Sequence, residues 1–224
     1  MKSFSLIVPI AADKAVYDAE MPFVFGLSKD GIMFCIKAIL GLQLSKFNNI
    51  YFTILKKHDE LYCLTDLFNI QFKRLQLNNA KVVVLEEPTR SQPETIYRTI
   101  KKEHIEGSIF VKDADCSFSC DIESSNSIAI YPLESLEWVN PQHKSYVSVD
   151  EMFYITNIIE KRIIDHYFCA GGYCFVEATE YCRYFESLRE NDGLYLSHIV
   201  YAMLLNKKVF RPIQVKKYID FEGE

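Results

Sequence analysis

The chain has 224 residues, of which 49% are hydrophobic and 25% are charged, and its formal net charge is −5. This length and composition are typical of a globular protein with one sizeable domain. A negative net charge, with lysines and arginines dispersed along the chain, argues against nucleic acid as the main partner. No apolar run reaches the roughly 20 residues that a membrane span needs, so we expect a cytoplasmic protein without such a span.

The seven cysteines favour buried thiols of a reducing compartment over disulfides. Their number is odd, they are scattered through apolar segments, and they form no Cys-x-x-Cys pair. Cys116 and Cys120 are close in sequence but lack a second Cys or His pair at zinc-finger spacing. The sequence therefore gives little support for a zinc site.

In the first part of the chain, strand-like and helix-like segments alternate. Apolar runs predict strands at residues 4–10, 50–55, 81–85, 108–111 and 127–131. Apolar residues at helical spacing predict helices at 31–44, 59–75 and 93–103. The alternation predicts an α/β fold with a mainly parallel (mixed) sheet flanked by helices on both faces.

After residue 131 the pattern changes. Residues 146–149 and 152–159 alternate like a hairpin, and a further strand is predicted at 171–176 after a glycine pair. Helices are predicted at 177–189 and 194–206, with a terminal strand near 208–215. We expect this part to extend the same sheet as a substrate-facing lobe.

The predicted fourth strand ends abruptly at Asp113-Ala114-Asp115. Open α/β sheets bind ligands where strands end, and carboxylates are hard oxygen ligands that suit Mg²⁺ or Mn²⁺. The alternative is an ordinary turn, because aspartate is common where strands end. Ser91 precedes Pro93 and Glu94 at the spacing of a helix N-cap residue. The segment is therefore either an ordinary helix start or a helix start that also lies beside the nucleotide.

Several segments, taken in chain order, carry a resemblance to a known family. They are LIVPIAADKAVYDAEMPFVF (6–25), GIMFCIKAIL (31–40), VVVLEEPTRSQPETI (82–96), ITNIIEKRI (155–163), AGGYCF (170–175) and YIDFEGE (218–224), with the Asp-Ala-Asp exit between the third and fourth. Their order resembles that of the sugar-phosphate nucleotidyltransferase-like family, whose members have the GT-A type, Rossmann-like fold of nucleotide-diphospho-sugar transferases. The resemblance covers nearly the whole chain.

The resemblance implies a single domain over residues 1–224, with a nucleotide-binding half (1–131) and an acceptor-binding half (132–224). It implies an enzyme that transfers a nucleoside monophosphate from a nucleoside triphosphate to a phosphorylated sugar or related small-molecule acceptor, with release of pyrophosphate. The expected pathway is surface polysaccharide (capsule) biosynthesis, and the expected cofactor is Mg²⁺ or Mn²⁺. The sequence leaves the base, the acceptor and a homo-oligomeric state open.

The resemblance also implies roles for individual residues. Catalytic residues would be Lys14, Asp113 and Lys161; metal ligands would be Asp113, Asp115 and Asp220. The nucleotide would be bound by Ala11, Ala12, Asp13, Lys14, Ser91, Gln92 and Lys112, and the acceptor by Glu160, Lys161 and Gly172.

The first loop departs from the family pattern. The family has a glycine-rich phosphate loop ending in arginine and then a Pro-Lys-Pro segment, whereas this chain has Ala11-Ala12-Asp13-Lys14 and a Met21-Pro22-Phe23 segment without lysine. Either Lys14 is the substitute cation or triphosphate binding is weakened. The altered loop leaves open a nucleotide-binding protein with impaired catalysis. The Asp-Ala-Asp strand end leaves open a GT-A glycosyltransferase that uses a nucleotide-sugar donor.

Overall fold

The structure is a computed structural model that describes residues 3–11, 21–136 and 144–221. The strands are β1 (Phe4–Pro9), β2 (Asn49–Leu55), β3 (Ala80–Leu85), β4 (Ser108–Lys112), β5 (Cys116–Ser119), β6 (Ser127–Pro132), β7 (Ser145–Val149), β8 (Ile155–Glu160), β9 (Tyr167–Phe175), β10 (Arg211–Gln214) and β11 (Lys216–Asp220). The helices are α1 (Phe34–Lys37), α2 (Lys56–Tyr62), α3 (Leu64–Arg74), α4 (Gln92–Lys102), α5 (Ala178–Leu188) and α6 (Leu196–Leu205).

One large mixed sheet organises the described residues. Its main strand order is β10-β6-β9-β4-β1-β2-β3, and β7 joins it through β9 and carries β8 at its other edge. Strand β1 is parallel to β2 and β4, whereas β9 is antiparallel to β4, β6 and β7. Within this sheet only β8 and β9 run against the other strands, so the predicted mainly parallel α/β sheet is confirmed.

The sheet is buried on both faces. One apolar core includes Phe52 and Phe110 of the sheet with Phe68 of α3. The other contains Ile96 of α4 and Ile199 of α6, packed against the opposite face together with α5. Helices therefore cover both faces, as the alternation of strands and helices predicts.

Two predicted helices in the first half were wrong in extent. The helix predicted at 31–44 is reduced to Phe34–Lys37, and Gly41 lies against the backbone of Phe118, where an added Cβ would be 2.1 Å from its carbonyl oxygen. The helix predicted at 59–75 is two helices separated by Cys63, whose φ is 51°. The carboxylate of Asp59 accepts hydrogen bonds from Thr65 N and Oγ1, which satisfies the start of the second helix.

Strands β5 and β11 form a separate antiparallel pair that the sequence patterns did not predict. The register places Asp220 opposite Cys116, and Phe221 N donates to the carbonyl oxygen of Asp115 at 2.9 Å. The end of the described chain is thereby fixed beside the Asp-Ala-Asp segment. Strand β10 is shorter than the predicted strand at 208–215.

The sheet joins the two halves predicted by the resemblance, because β9 lies between β4 and β6. The division near residue 131 stays a prediction. In the described ranges, no helix combines the length and apolarity that crossing a bilayer requires.

Candidate active site at the carboxyl end of the sheet

A cleft of about 580 Å³ opens where β1 and β4 end. Its floor includes Pro9 and Ile10 after β1 and the segment from Asp113 to Cys116 after β4. The start of α4 forms one wall, and residues at the start of β7 and the end of β8 form another. This is the edge at which open α/β sheets bind ligands.

The N-terminus of α4 supplies the first wall of the cleft. Ser91 is the N-cap, and its Oγ accepts from Glu94 N at 3.4 Å, so the predicted N-cap is confirmed. Glu94 Oε2 accepts from Arg90 N at 2.8 Å, one residue earlier than in a capping box. Gln92 Nε2 donates to Asp113 Oδ1 at 2.6 Å. A predicted nucleotide-binding residue and a predicted metal ligand are therefore in direct contact.

Asp113 and Asp115 both line the cleft. Burial, followed by the negative charge of Asp115, raises the pKa of the Asp113 carboxyl above its ordinary value. Gly171 lies beside Asp113, with φ of +79°, and a Cβ there would be 2.7 Å from Asp113 Oδ2. Only glycine leaves room for this aspartate, and the close approach explains why a glycine precedes Gly172.

Lys112 lies beneath the Asp-Ala-Asp segment, and its side chain is fully buried. Its Nζ donates to the carbonyl oxygens of Asp113 (2.8 Å) and Cys116 (2.9 Å) and lies 4.6 Å from the centroid of the Phe118 ring. Its ammonium therefore supports the backbone of the segment and is not among the groups that line the cleft.

Glu160 and Lys161 lie together on the opposite wall. Glu160 Oε2 accepts from Ser145 Oγ at 2.5 Å and Ser197 Oγ at 2.6 Å, which leaves Oε1 without a hydrogen bond to any described residue. Lys161 Nζ donates to Tyr195 OH at 2.7 Å. This hydrogen bond raises the pKa of Lys161 above its ordinary value, so the side chain stays charged at neutral pH.

Asp220, predicted as a metal ligand, forms an ion pair with Lys144. Lys144 Nζ lies 2.5 Å from Asp220 Oδ2 and donates to Tyr218 OH at 2.7 Å, and that hydroxyl is 3.2 Å from Asp220 Oδ2. Burial alone lowers the pKa of Lys144, but the hydrogen bond and charge of Asp220, with the charge of Asp115, raise it overall. Lys144 and Tyr218 line the cleft.

The structure thus brings six of the thirteen predicted site residues together in the cleft. Those that line the cleft are Ser91, Gln92, Asp113, Asp115, Glu160 and Lys161. Gly172 does not line it: a Cβ at this position would lie within 3.0 Å of Ala129, Phe118 and Phe110, inside the core. Ala11 is buried and accepts from Thr89, whereas Ala12, Asp13 and Lys14 lie outside the described residues.

Sequence reasoning missed several residues of the cleft. Arg90 lies beside the start of α4 and donates to the carbonyl oxygen of Arg189 at 3.1 Å. Lys144, Gly171, Tyr195 and Tyr218 also line the cleft. Arg90, Gly171 and Tyr218 lie within segments that carry the family resemblance, so those segments could have pointed to them. Lys144 and Tyr195 lie outside every such segment and reach the cleft only through the fold.

The described residues contain no group of three or more His, Cys, Asp or Glu side chains placed to hold a metal ion. Asp113 and Asp115 nevertheless fit one, because Mg²⁺ is usually held by one or two carboxylates together with substrate phosphates. The raised pKa of Asp113 shows that its negative charge is disfavoured by burial and by the charge of Asp115. A cation bound to both carboxylates would offset that unfavourable interaction. The chemistry of this pair therefore suits Mg²⁺ or Mn²⁺.

No family model matches the chain, and no curated protein matches it in sequence. Solved structures match it over almost its whole length. The nucleoside-diphosphate-sugar pyrophosphorylase from Vibrio cholerae is 14% identical, with a TM-score of 0.77 over 96% of this chain and 94% of that chain. The inositol-1-phosphate CTP transferase from T. maritima is 15% identical, with a TM-score of 0.70 over 97% and 88% of the two chains.

A UDP-glucose pyrophosphorylase complexed with UDP-glucose is 11% identical, with a TM-score of 0.69 over 99% of this chain and 94% of that chain. At such identities the likeness concerns the backbone, and it agrees with the mixed sheet and flanking helices described above. The chain therefore has a nucleotide-diphospho-sugar transferase-like fold, as the resemblance in sequence predicted.

Proposed function

We propose that the protein is a Mg²⁺-dependent nucleotidyltransferase. It would transfer a nucleoside monophosphate from a nucleoside triphosphate to a phosphorylated sugar or related phospho-acceptor, with release of pyrophosphate. The observation that carries this proposal is the convergence on one cleft of the Gln92–Asp113 pair and the Glu160–Lys161 pair. The three fold relatives are named as a pyrophosphorylase of nucleoside-diphosphate sugars, a CTP transferase and a UDP-glucose pyrophosphorylase.

The two walls of the cleft suggest a division of labour. The wall with Ser91 and Gln92 presents a helix N-terminus, which favours anionic ligands, and would bind the nucleotide. The opposite wall would bind the acceptor, with Lys161 at its phosphate and Glu160 at a hydroxyl group. The two serines orient Glu160 before the acceptor binds, which reduces the cost of ordering it.

In the reaction, a phosphate oxygen of the acceptor would attack the α-phosphorus in line, and the bond to the β-phosphate would break. The electron pair leaves with pyrophosphate, so the protein mainly has to align two anions and offset their charge. A bound Mg²⁺ would neutralise phosphate charge as it develops. Asp113 and Asp115 would hold that ion, Gln92 would orient Asp113, and Lys161 would fix the attacking phosphate.

The proposed biological role is the synthesis of an activated precursor for a surface polysaccharide. It follows from the family resemblance alone. The proposed cellular location, the cytoplasm, is where nucleoside triphosphates are supplied.

A glycosyltransferase is the second candidate, because Asp113 and Asp115 in a cleft of this fold would also suit the diphosphate of a nucleotide-sugar donor. Product analysis separates the two. Each nucleoside triphosphate is incubated with Mg²⁺ and a panel of sugar 1-phosphates and choline phosphate, and pyrophosphate is measured. In a parallel incubation a nucleotide-sugar replaces the triphosphate. Release of pyrophosphate from a triphosphate supports the proposal, whereas consumption of the nucleotide-sugar, with no pyrophosphate from any triphosphate, supports the glycosyltransferase.

The third candidate, a nucleotide-binding protein without turnover, is motivated by the missing cations of the first loop. A thermal-shift panel of nucleoside triphosphates with and without Mg²⁺ addresses it, since a ligand of the native state raises the melting temperature. Binding without turnover of any acceptor would favour this candidate. No shift with any triphosphate would contradict the proposed function itself.

A further inference from the structure

The cleft contains a lysine, Lys144, that no sequence motif assigns to the proposed reaction. Its side chain lines the cleft and is only 16% exposed. A lysine ammonium has three N–H donors. Two are directed at Asp220 Oδ2 (2.5 Å) and Tyr218 OH (2.7 Å), and no described residue accepts the third.

Negative charge is in excess in the corner of the cleft where Asp113, Asp115 and Asp220 meet. These three carboxylates face two ammonium groups, that of Lys144, which interacts electrostatically with all three, and that of the buried Lys112, which acts on Asp113. The excess negative charge favours a divalent cation, whose remaining charge would be neutralised by phosphate oxygens of the nucleotide. A metal ion at Asp220 Oδ2 would have to displace the ammonium from a hydrogen bond of 2.5 Å.

We propose that Lys144 is the second cation of this site: bound to Asp220, it keeps that carboxylate from the metal ion and offers its remaining N–H to a phosphate oxygen of the nucleotide. Asp220 is then a positioning residue for Lys144 and not a metal ligand. This inference rests on the proposed function, because it requires a nucleotide phosphate in the cleft. It assigns the single divalent ion to Asp113 and Asp115.

The proposal predicts effects of opposite sign on two ligands. In Lys144→Met a positive charge leaves the corner, so Mn²⁺ should bind about 10-fold more tightly. The same variant loses a phosphate donor, so pyrophosphate at saturating Mn²⁺ should bind about 10-fold more weakly. A lysine with a merely structural role would not tighten one ligand while weakening the other.

The decisive comparison is the double variant Lys144→Met/Asp220→Asn. Asp220→Asn alone should weaken Mn²⁺ binding about 10-fold, because an uncompensated ammonium then faces the metal. Removing both members restores the net charge, so the double variant should bind Mn²⁺ within about 3-fold of the wild type. If Asp220 were a metal ligand, the double variant would lose Mn²⁺ affinity as Asp220→Asn does.

Free Mn²⁺ is measured by electron paramagnetic resonance and pyrophosphate binding by calorimetry on the full chain, after circular dichroism has shown that each variant is folded. The control pair is Lys56 and Glu86, which form a 2.7 Å ion pair outside the cleft. Lys56→Met and Glu86→Gln should leave both affinities unchanged.

Loss of Mn²⁺ binding in the double variant, or no effect of Lys144→Met on either ligand, would overturn the inference while the proposed function stands. Failure of the wild type to bind Mn²⁺ and pyrophosphate would overturn both.

Discussion

Gln92 Nε2 and Asp113 Oδ1 are joined by a hydrogen bond of 2.6 Å, which links the start of α4 to the exit of β4. Gln92→Leu removes the donor, so this hydrogen bond no longer orients the Asp113 carboxylate. Hydrogen bonds to charged groups contribute about 1.5–3 kcal/mol, so Mn²⁺ and triphosphate affinities measured by calorimetry should fall roughly 10-fold or more.

The matched control for Gln92→Leu is Gln43→Leu. Gln43 Nε2 donates to Asp121 Oδ1 at 2.5 Å, in an exposed pair outside the cleft. This variant should leave both affinities unchanged. Equal losses in the two variants would mean that the Gln92–Asp113 contact has no special role in ligand binding.

Gly171 sets the space available to the Asp113 carboxylate. Gly171→Ala should combine backbone strain at φ +79° with a contact of 2.7 Å between Cβ and Asp113 Oδ2. Gly193→Ala has the same kind of backbone strain, at φ +65°, but its added Cβ would have no atom within 4 Å and so makes no close contact. Urea unfolding should show about 1–2 kcal/mol of destabilisation for Gly193→Ala and a larger value for Gly171→Ala.

The same pair of variants separates strain from function. Only Gly171→Ala should also weaken Mn²⁺ binding, because only there does the new methyl group displace the aspartate. If both variants bind Mn²⁺ like the wild type, Asp113 is not held in place by Gly171.

Glu160 is expected to recognise a hydroxyl group of the acceptor through Oε1, since both serines donate to Oε2. Glu160→Gln replaces charge-assisted hydrogen bonds, which are roughly twice as strong as neutral ones. In steady-state kinetics the KM of the acceptor should rise by about 10-fold, while the calorimetric Kd of the triphosphate stays the same.

Glu186→Gln is the control for Glu160, because Glu186 also accepts from a hydroxyl, that of Tyr97, but outside the cleft. It should change neither constant. An increase in the triphosphate Kd of Glu160→Gln would place this carboxylate on the nucleotide side instead.

A buried threonine pair anchors α4 to the sheet. The hydroxyls of Thr99 and Thr53 are 2.7 Å apart, and Thr99 Oγ1 also donates to Thr95 O. Thr99→Val keeps the shape but leaves the Thr53 hydroxyl without this partner, so the free energy of unfolding should fall by about 1–3 kcal/mol. Thr156→Val, at an exposed hydroxyl, should change it by less than about 0.5 kcal/mol in the same urea titrations. Similar values for both would contradict the anchoring role.

Local patterns were sufficient to predict most of the fold. The central strands were recognisable because they are short apolar runs buried in the sheet, as in β2 and β4. The start of α4 was recognisable because Ser91 and Glu94 satisfy backbone groups close to them in sequence. The break at Cys63 was not, since the periodic apolar residues continue through it and only the backbone angle changes.

The parts of the site that escaped prediction depend on contacts between distant segments. Lys144 meets Tyr218 and Asp220, which lie 74 and 76 residues away, because β11 pairs with β5. Strand β11 is rich in polar residues and carries no clear apolar pattern. Similarly, the glycine pair was visible, but only the backbone shows that Gly171 borders the cleft and Gly172 the core.

The central claim is that Asp113 supports nucleotidyl transfer in this cleft, and pyrophosphate release tests it most directly. With a nucleoside triphosphate, a phosphorylated acceptor and Mg²⁺, the wild type should release pyrophosphate, and Asp113→Asn should lower that rate roughly 100-fold or more. Asp121→Asn, which alters the matching pair outside the cleft, should retain the rate. An Asp113→Asn protein that is folded and as active as the wild type would contradict the account.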